Sequence, residues 1–143
     1  MGHVMTRRAG WIGAYADLID ETRSEPFAWG RNDCAVGLCA RVVEVLTGVN
    51  PASRFAGQFD DAASAYRIMR AEGFEDLADL VASILPEYDH PSEAQIGDLV
   101  AVANDTPFRH ALGVCNGERI FVLTETGLGT LDRRQAVRAF KVG

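Results

Sequence analysis

The sequence predicts an α+β domain, with helices in the first half of the chain and an antiparallel sheet in the second. Apolar residues recur at three- and four-residue spacing up to about residue 88, and short β-type runs follow from residue 97. Asn116-Gly117, a strong hairpin signal, separates two of these runs. Helices followed by consecutive strands form an α+β arrangement. The 143 residues are predicted to form one domain, 1–143, with residues 1–8 disordered or vector-derived.

Four helical segments are predicted, at 10–23, 33–48, 60–73 and 74–88. The second is apolar around most of its circumference, which predicts a central, buried helix. Asp33 is a suitable N-cap for it, and Gly48 a suitable C-terminal stop.

Strands are predicted at 97–103, 110–117, 118–127 and 136–143. The stretch "GLGT" at 127–130 lacks the G-K-[ST] ending and following helix of a phosphate-binding loop. We therefore interpret it as a turn between strands.

The bulk composition argues against several functions. A net charge of -6 and a pI near 5.0 argue against nucleic acid as the main partner. No apolar run approaches 18 residues and no secretory signal is visible, so neither membrane insertion nor Sec export is expected. The protein is expected to be cytoplasmic as synthesised. Cys34, Cys39 and Cys115 are expected to be free thiols, and their spacing predicts no metal site.

Cys34, in "PFAWGRNDC", lies directly after the predicted N-cap of the central helix. A helix N-terminus lowers a thiol pKa and so activates a nucleophile. The alternative is a packed helix residue, because free cysteine is among the most buried residue types. A redox sensor that uses Cys34 and Cys39 is a third interpretation, although the pair lacks the C-x-x-C spacing.

The same segment resembles the catalytic segment of NlpC-type endopeptidases, papain-like cysteine hydrolases that cut peptidoglycan stem peptides. The family pattern P-Y-x-W-G-G, then D-C-S-G-L-V, corresponds to "PFAWG" and "DCAVGL" here. Further on, "IGDLVAV" resembles the first core strand, and "HALGVCNGERIF" the second strand and its hairpin. The resemblance covers about 11–142, and the whole chain looks like a short phage- and prophage-associated branch of that superfamily.

The resemblance implies a papain-like fold with Cys34 as nucleophile and His110 as general base. The backbone N–H of Cys34 would hold the oxyanion, and Asp33 would cap and support the helix. Trp29 would be a packing anchor, and Phe27 stands where the family Tyr supplies a hydroxyl. No metal and no organic cofactor are implied. The expected partners are peptidoglycan peptide or phage tail proteins, and the resemblance also implies association with the virion.

Two departures from the family pattern keep an inactive module open as the alternative function, for phage tail assembly or cell-wall binding. The family histidine aligns with Ala111, and a one-residue slip places His110 on the opposite strand face unless a β-bulge re-aims it. The family's imidazole-orienting residue falls near Phe121, which has no polar atom. His90 is a second candidate base. The sequence predicts no oligomeric state.

Overall fold

The computed structural model describes residues 5–143 and shows the predicted α+β domain. Its α-helices are α1 (Trp11–Ser24), α2 (Ala40–Thr47), α3 (Ala62–Ala71) and α4 (Leu77–Ala82). A π-helix, Cys34–Cys39, leads directly into α2, and short 3-10 helices lie at Pro91–Glu93 and Arg133–Gln135. No helix among the described residues has the length and apolarity needed to cross a membrane.

The second half of the chain forms one antiparallel sheet in the order β4-β3-β2-β1-β5. Its strands are β1 (Leu99–Ala103), β2 (His110–Cys115), β3 (Arg119–Thr124), β4 (Gly127–Asp132) and β5 (Ala136–Phe140). The predicted hairpin turn is confirmed, because Gly117 has a φ of 85° between β2 and β3. The turn predicted at 127–130 is wrong. This segment is the edge strand β4, which pairs with β3 along its whole length. Backbone hydrogen bonds to β3 hold it in the sheet, although its sequence lacks the alternation of apolar residues that predicts a strand.

The helices pack on one face of the sheet. Leu38, Val42 and Leu46 are fully buried there, against Leu112 and Phe121 from the strands. The prediction that the central helix is buried is therefore confirmed. Its first six residues are wound as a π-helix rather than an α-helix, which the apolar pattern did not indicate.

The N-terminal segment corrects one expectation. Residues 1–4 lie outside the described residues, but Arg7 and Arg8 are packed against the domain rather than disordered. Arg8 N–H donates to the Leu46 carbonyl at 2.7 Å, and Arg7 forms an ion pair of 3.0 Å with Asp98. Asp98 is only 1% exposed, and a buried carboxylate needs such partners.

Candidate active site

The turn before Cys34 is built around the buried carboxylate of Asp33. One carboxylate oxygen accepts from Gly30 N–H at 2.8 Å, and the other from Val36 N–H at 2.7 Å and Gly37 N–H at 3.4 Å. Asp33 is thus the N-cap, as the sequence predicts. Its bonds on both sides of Cys34 fix the position of the thiol at the helix start.

The π-helical start depends on a glycine. Leu38 N–H donates to the Asp33 carbonyl at 2.9 Å, which is the five-residue bond of a π-helix. The widened turn lies so close to the preceding loop that a Cβ on Gly37 would be 2.4 Å from Cα of Asn32. π-helical turns are frequent at functional sites.

The sheet opens between β2 and β3 beside Cys34. The β2–β3 pairing ends at Gly113 and Val122; beyond it β2 pairs only with β1, and β3 only with β4. The backbone N–H of Leu112, next along β2, has no partner in β3 at this point and acts to lower the pKa of the Cys34 thiol. The opening of the sheet therefore places the thiol against β2.

The electrostatics of Cys34 differ from the expectation of a lowered pKa. Burial raises the pKa of the thiol to about 11, and the negative charge of Asp33 acts in the same direction. Backbone N–H groups of Leu112, Cys34 and Ala35 act in the opposite direction but do not prevail. The thiol is therefore neutral at pH 7 in this conformation, because the apolar surroundings outweigh the helix terminus.

His110 lies on the helix-facing side of β2, although the sequence argument placed it on the opposite face. It shares that side with Leu112 and Val114, whereas Cys115 faces the other core. The β1–β2 register runs without a bulge from Leu99 and Val114 to Ala103 and His110. The strand face inferred by counting back from Gly113 was therefore wrong, and no β-bulge is needed to turn His110 toward the helices.

Asp76 supplies the partner that Phe121 cannot. Its carboxylate lies 2.8 Å from Nδ1 of His110, and it also caps α4 by accepting from Ala78 N–H at 2.8 Å. Partial burial raises the pKa of Asp76. The hydrogen bonds from the Ala78 N–H and from His110 together lower it by more, so the pKa of Asp76 lies below its ordinary value. An ionised carboxylate on Nδ1 fixes the ring and leaves Nε2 for proton transfer.

The residue before the histidine is conformationally unusual. Arg109 has a φ of 67° and is the only non-glycine residue with positive φ among the described residues. Its N–H donates to the Thr106 carbonyl, and its own carbonyl accepts from Asn104 N–H. This left-handed residue ends the β1–β2 loop and sets the direction in which His110 enters the strand.

Cys34 and His110 line the same cavity of about 390 Å³ between the helices and the sheet. Within the described part of the chain, no hydrogen bond joins the Cys34 sulfur to the His110 ring. Trp29 also lines this cavity and stacks on Phe108, with ring centroids 6.4 Å apart. It therefore packs as predicted while facing the candidate site.

Of the other residues singled out in the sequence, Phe27 and His90 lie outside the cavity and Cys39 lies on its wall. Phe27 packs edge-on against Trp29, at 5.3 Å between centroids, and does not line the cavity. His90 is exposed and caps the 3-10 helix at Pro91–Glu93 by accepting from Ser92 N–H. Cys39 is buried on the cavity wall. Among residues 5–143 no group of three or more His, Cys, Asp or Glu side chains is arranged to hold a metal ion.

Sequence reasoning missed Asp76 and Arg109. The signal for Asp76 was an aspartate directly before the apolar run "LADLV", which is an N-cap pattern. That pattern predicts the cap but not the histidine, which is 34 residues further along the chain.

The fold and these residues define an α+β domain with a cysteine and a carboxylate-paired histidine on one cavity. A family described as "Domain of unknown function (DUF6950)" matches residues 6–142, so the chain belongs to that family. The comparisons with curated proteins and with solved structures gave no match.

Proposed function

We propose that this domain is a cysteine hydrolase of peptide or amide bonds. The observation that carries the proposal is that Cys34, at a capped helix start, shares a cavity with His110, whose Nδ1 is 2.8 Å from Asp76. Nucleophile, base and orienting carboxylate are the three roles of a cysteine-histidine-acid site. Each is filled here by a residue on a different element.

In the proposed reaction Nε2 of His110 takes the Cys34 proton as the sulfur attacks the substrate carbonyl carbon. The N–H groups of Cys34 and Ala35, which donate to no other acceptor within residues 5–143, stabilise the developing oxyanion. His110 then protonates the leaving amine as the C–N bond breaks. Water, deprotonated by the same imidazole, hydrolyses the thioester and restores the thiol.

The raised thiol pKa means that the proposed reaction needs a base. Because the resting thiol is neutral, His110 must remove its proton before or during attack on the substrate. Substrate must bring the sulfur and Nε2 within reach, since catalytic hydrogen bonds commonly tighten only when substrate binds.

The wider proposal extends the resemblance to NlpC-type enzymes. The helix-borne cysteine facing an antiparallel sheet supports a papain-like fold, with a stem-peptide bond of peptidoglycan as substrate. A phage or prophage context follows from the same resemblance.

The test is hydrolysis of purified peptidoglycan sacculi and of the released stem peptides, followed by mass spectrometry of the products. Wild-type protein should release new amino and carboxyl termini. Cys34→Ala and His110→Ala should each lower the rate at least a hundredfold. His90→Ala is the matched control, because His90 is exposed and does not line the cavity. Equal rates in wild type and Cys34→Ala would rule the proposal out.

A second candidate function is binding without catalysis, as a module for tail assembly or cell-wall attachment. The neutral thiol and the absence of a Cys34–His110 hydrogen bond in the described residues favour it. Retention on sacculi without any product, unchanged in Cys34→Ala, is the result that selects this alternative.

A further inference from the structure

The cavity beside Cys34 has mostly apolar walls, and its polar lining residues besides Cys34 and His110 are Asp33, Asn104, Thr106 and Glu125. Helix α3 contributes Ala65, Ile68 and Met69, and helix α4 contributes Leu80. Ile84, 39% exposed, lies at its edge. A cavity of about 390 Å³ is in the range of small-molecule sites.

The charges around the cavity restrict what it can hold. No Lys or Arg lines it within residues 5–143, and the carboxylates on its walls are Asp33 and Glu125. Asp33 already accepts three backbone N–H groups. A carboxylate entering the cavity would meet acids and no Lys or Arg, and the imidazole of His110 is already paired with Asp76. An unpaired buried charge is strongly unfavourable.

We infer that this cavity binds an uncharged apolar group of the substrate next to the scissile bond, so that the preferred substrates are amides that carry an aliphatic or aromatic group there. The inference rests on the proposed function, because it assumes that Cys34 is the acylated atom. The inference narrows the range of substrates, because stem-peptide bonds that would place a free carboxylate in this cavity are disfavoured.

The inference can be tested by alkylation, which requires no turnover. The probes are iodoacetamide, N-ethyl-, N-butyl- and N-hexyl-iodoacetamide, and iodoacetate, at pH 8.5. The Cys34 sulfur attacks the methylene carbon, the S–C bond forms, iodide leaves, and the thiol proton passes to buffer or His110. Mass spectrometry of the Cys34 peptide gives the rate, and N-acetylcysteine gives each reagent's intrinsic reactivity.

After this correction, the Cys34 rate should rise about threefold per added methylene until the cavity is filled, and at least tenfold from ethyl to hexyl. Iodoacetate should react at least tenfold more slowly than iodoacetamide. Ala65→Phe, which places an aromatic ring in the cavity, should remove the chain-length dependence. Ala63→Phe is the matched control, because Ala63 is exposed on the same helix and does not line the cavity.

The outcomes separate the two proposals. A flat chain-length profile, or iodoacetate as fast as iodoacetamide, overturns the inference even where sacculi are hydrolysed. A rising profile abolished by Ala65→Phe but not by Ala63→Phe supports the apolar cavity even where no hydrolysis occurs. Failure of every reagent at Cys34 in the folded protein overturns the inference as well, since the thiol would then be closed to ligands.

Discussion

Two buried aspartates, Asp98 directly before β1 and Asp33 directly before Cys34, accept hydrogen bonds from different kinds of donor. Asp98 accepts from the Arg7 guanidinium, the Tyr88 hydroxyl and the backbone N–H groups of Gln95 and Val142. Asp33 accepts only backbone N–H groups, all from its own turn and helix. The first joins distant parts of the chain, whereas the second shapes one local turn.

The difference separates stability from function. The carboxylate of Asp98 has four donors, which come from both ends of the described chain and from the segment before β1. The surroundings of Asp33 contain a half-buried thiol, two backbone N–H groups without another acceptor in residues 5–143, and a cavity. Changes at Asp98 should therefore reduce stability, while changes around Cys34 should reduce reactivity.

The largest expected effect is on stability. Asp98→Asn should lower the free energy of unfolding by about 3 kcal/mol, because it leaves Arg7 without its counter-charge. In either orientation the amide also turns a donor toward a backbone N–H. Urea denaturation measures the loss. Asp20→Asn is the control, since Asp20 and Arg23 are exposed and 3.9 Å apart, and it should change stability by less than about 0.5 kcal/mol. Equal losses in both variants would contradict the comparison.

The second prediction concerns the pH dependence of Cys34. With a thiol pKa near 11, the thiolate fraction at neutral pH is small and rises with pH. Iodoacetamide labelling should therefore increase about tenfold per pH unit from pH 7 to pH 9, without a shoulder at lower pH. N-acetylcysteine should level off near its ordinary pKa of about 8.5. A labelling plateau below pH 7 would instead indicate a preformed thiolate–imidazolium pair.

The third prediction separates the two roles of Asp76. Asp76→Ser retains a side-chain oxygen for the Ala78 N–H but removes the partner of His110. Its kcat should fall about a hundredfold with an altered pH–rate profile, while stability stays near that of wild type. Asp76→Ala should show the same kinetic loss and a further loss of about 1 kcal/mol in stability. Full activity in Asp76→Ser would remove the carboxylate from the proposed mechanism.

The smallest expected effect is at Arg109, whose φ of 67° suits glycine. Arg109→Gly should leave the free energy of unfolding within about 0.5 kcal/mol of wild type. Arg109→Val should lower it by about 1–2 kcal/mol, because a β-branched side chain is strained in this conformation. Thermal unfolding distinguishes them, and equal stability of the two variants would show that the loop relaxes.

Much of the fold could be predicted because its signals are local. The apolar spacing located the helices, and Asn116-Gly117 located a hairpin. Strand β4 was missed because an exposed edge strand needs no apolar alternation. The strand face on which His110 lies was predicted wrongly, because a single glycine does not determine which face of a strand packs against the helices.

The sequence by itself determined the helical half, the capped turn at Asp33 and the position of Cys34 at a helix start. These features depend on hydrogen bonds between residues a few positions apart. Only the tertiary structure decided the neutral thiol, the apolar cavity and the pairing of His110 with Asp76. Burial and contacts across 34 residues depend on how whole elements pack, and no local pattern encodes them.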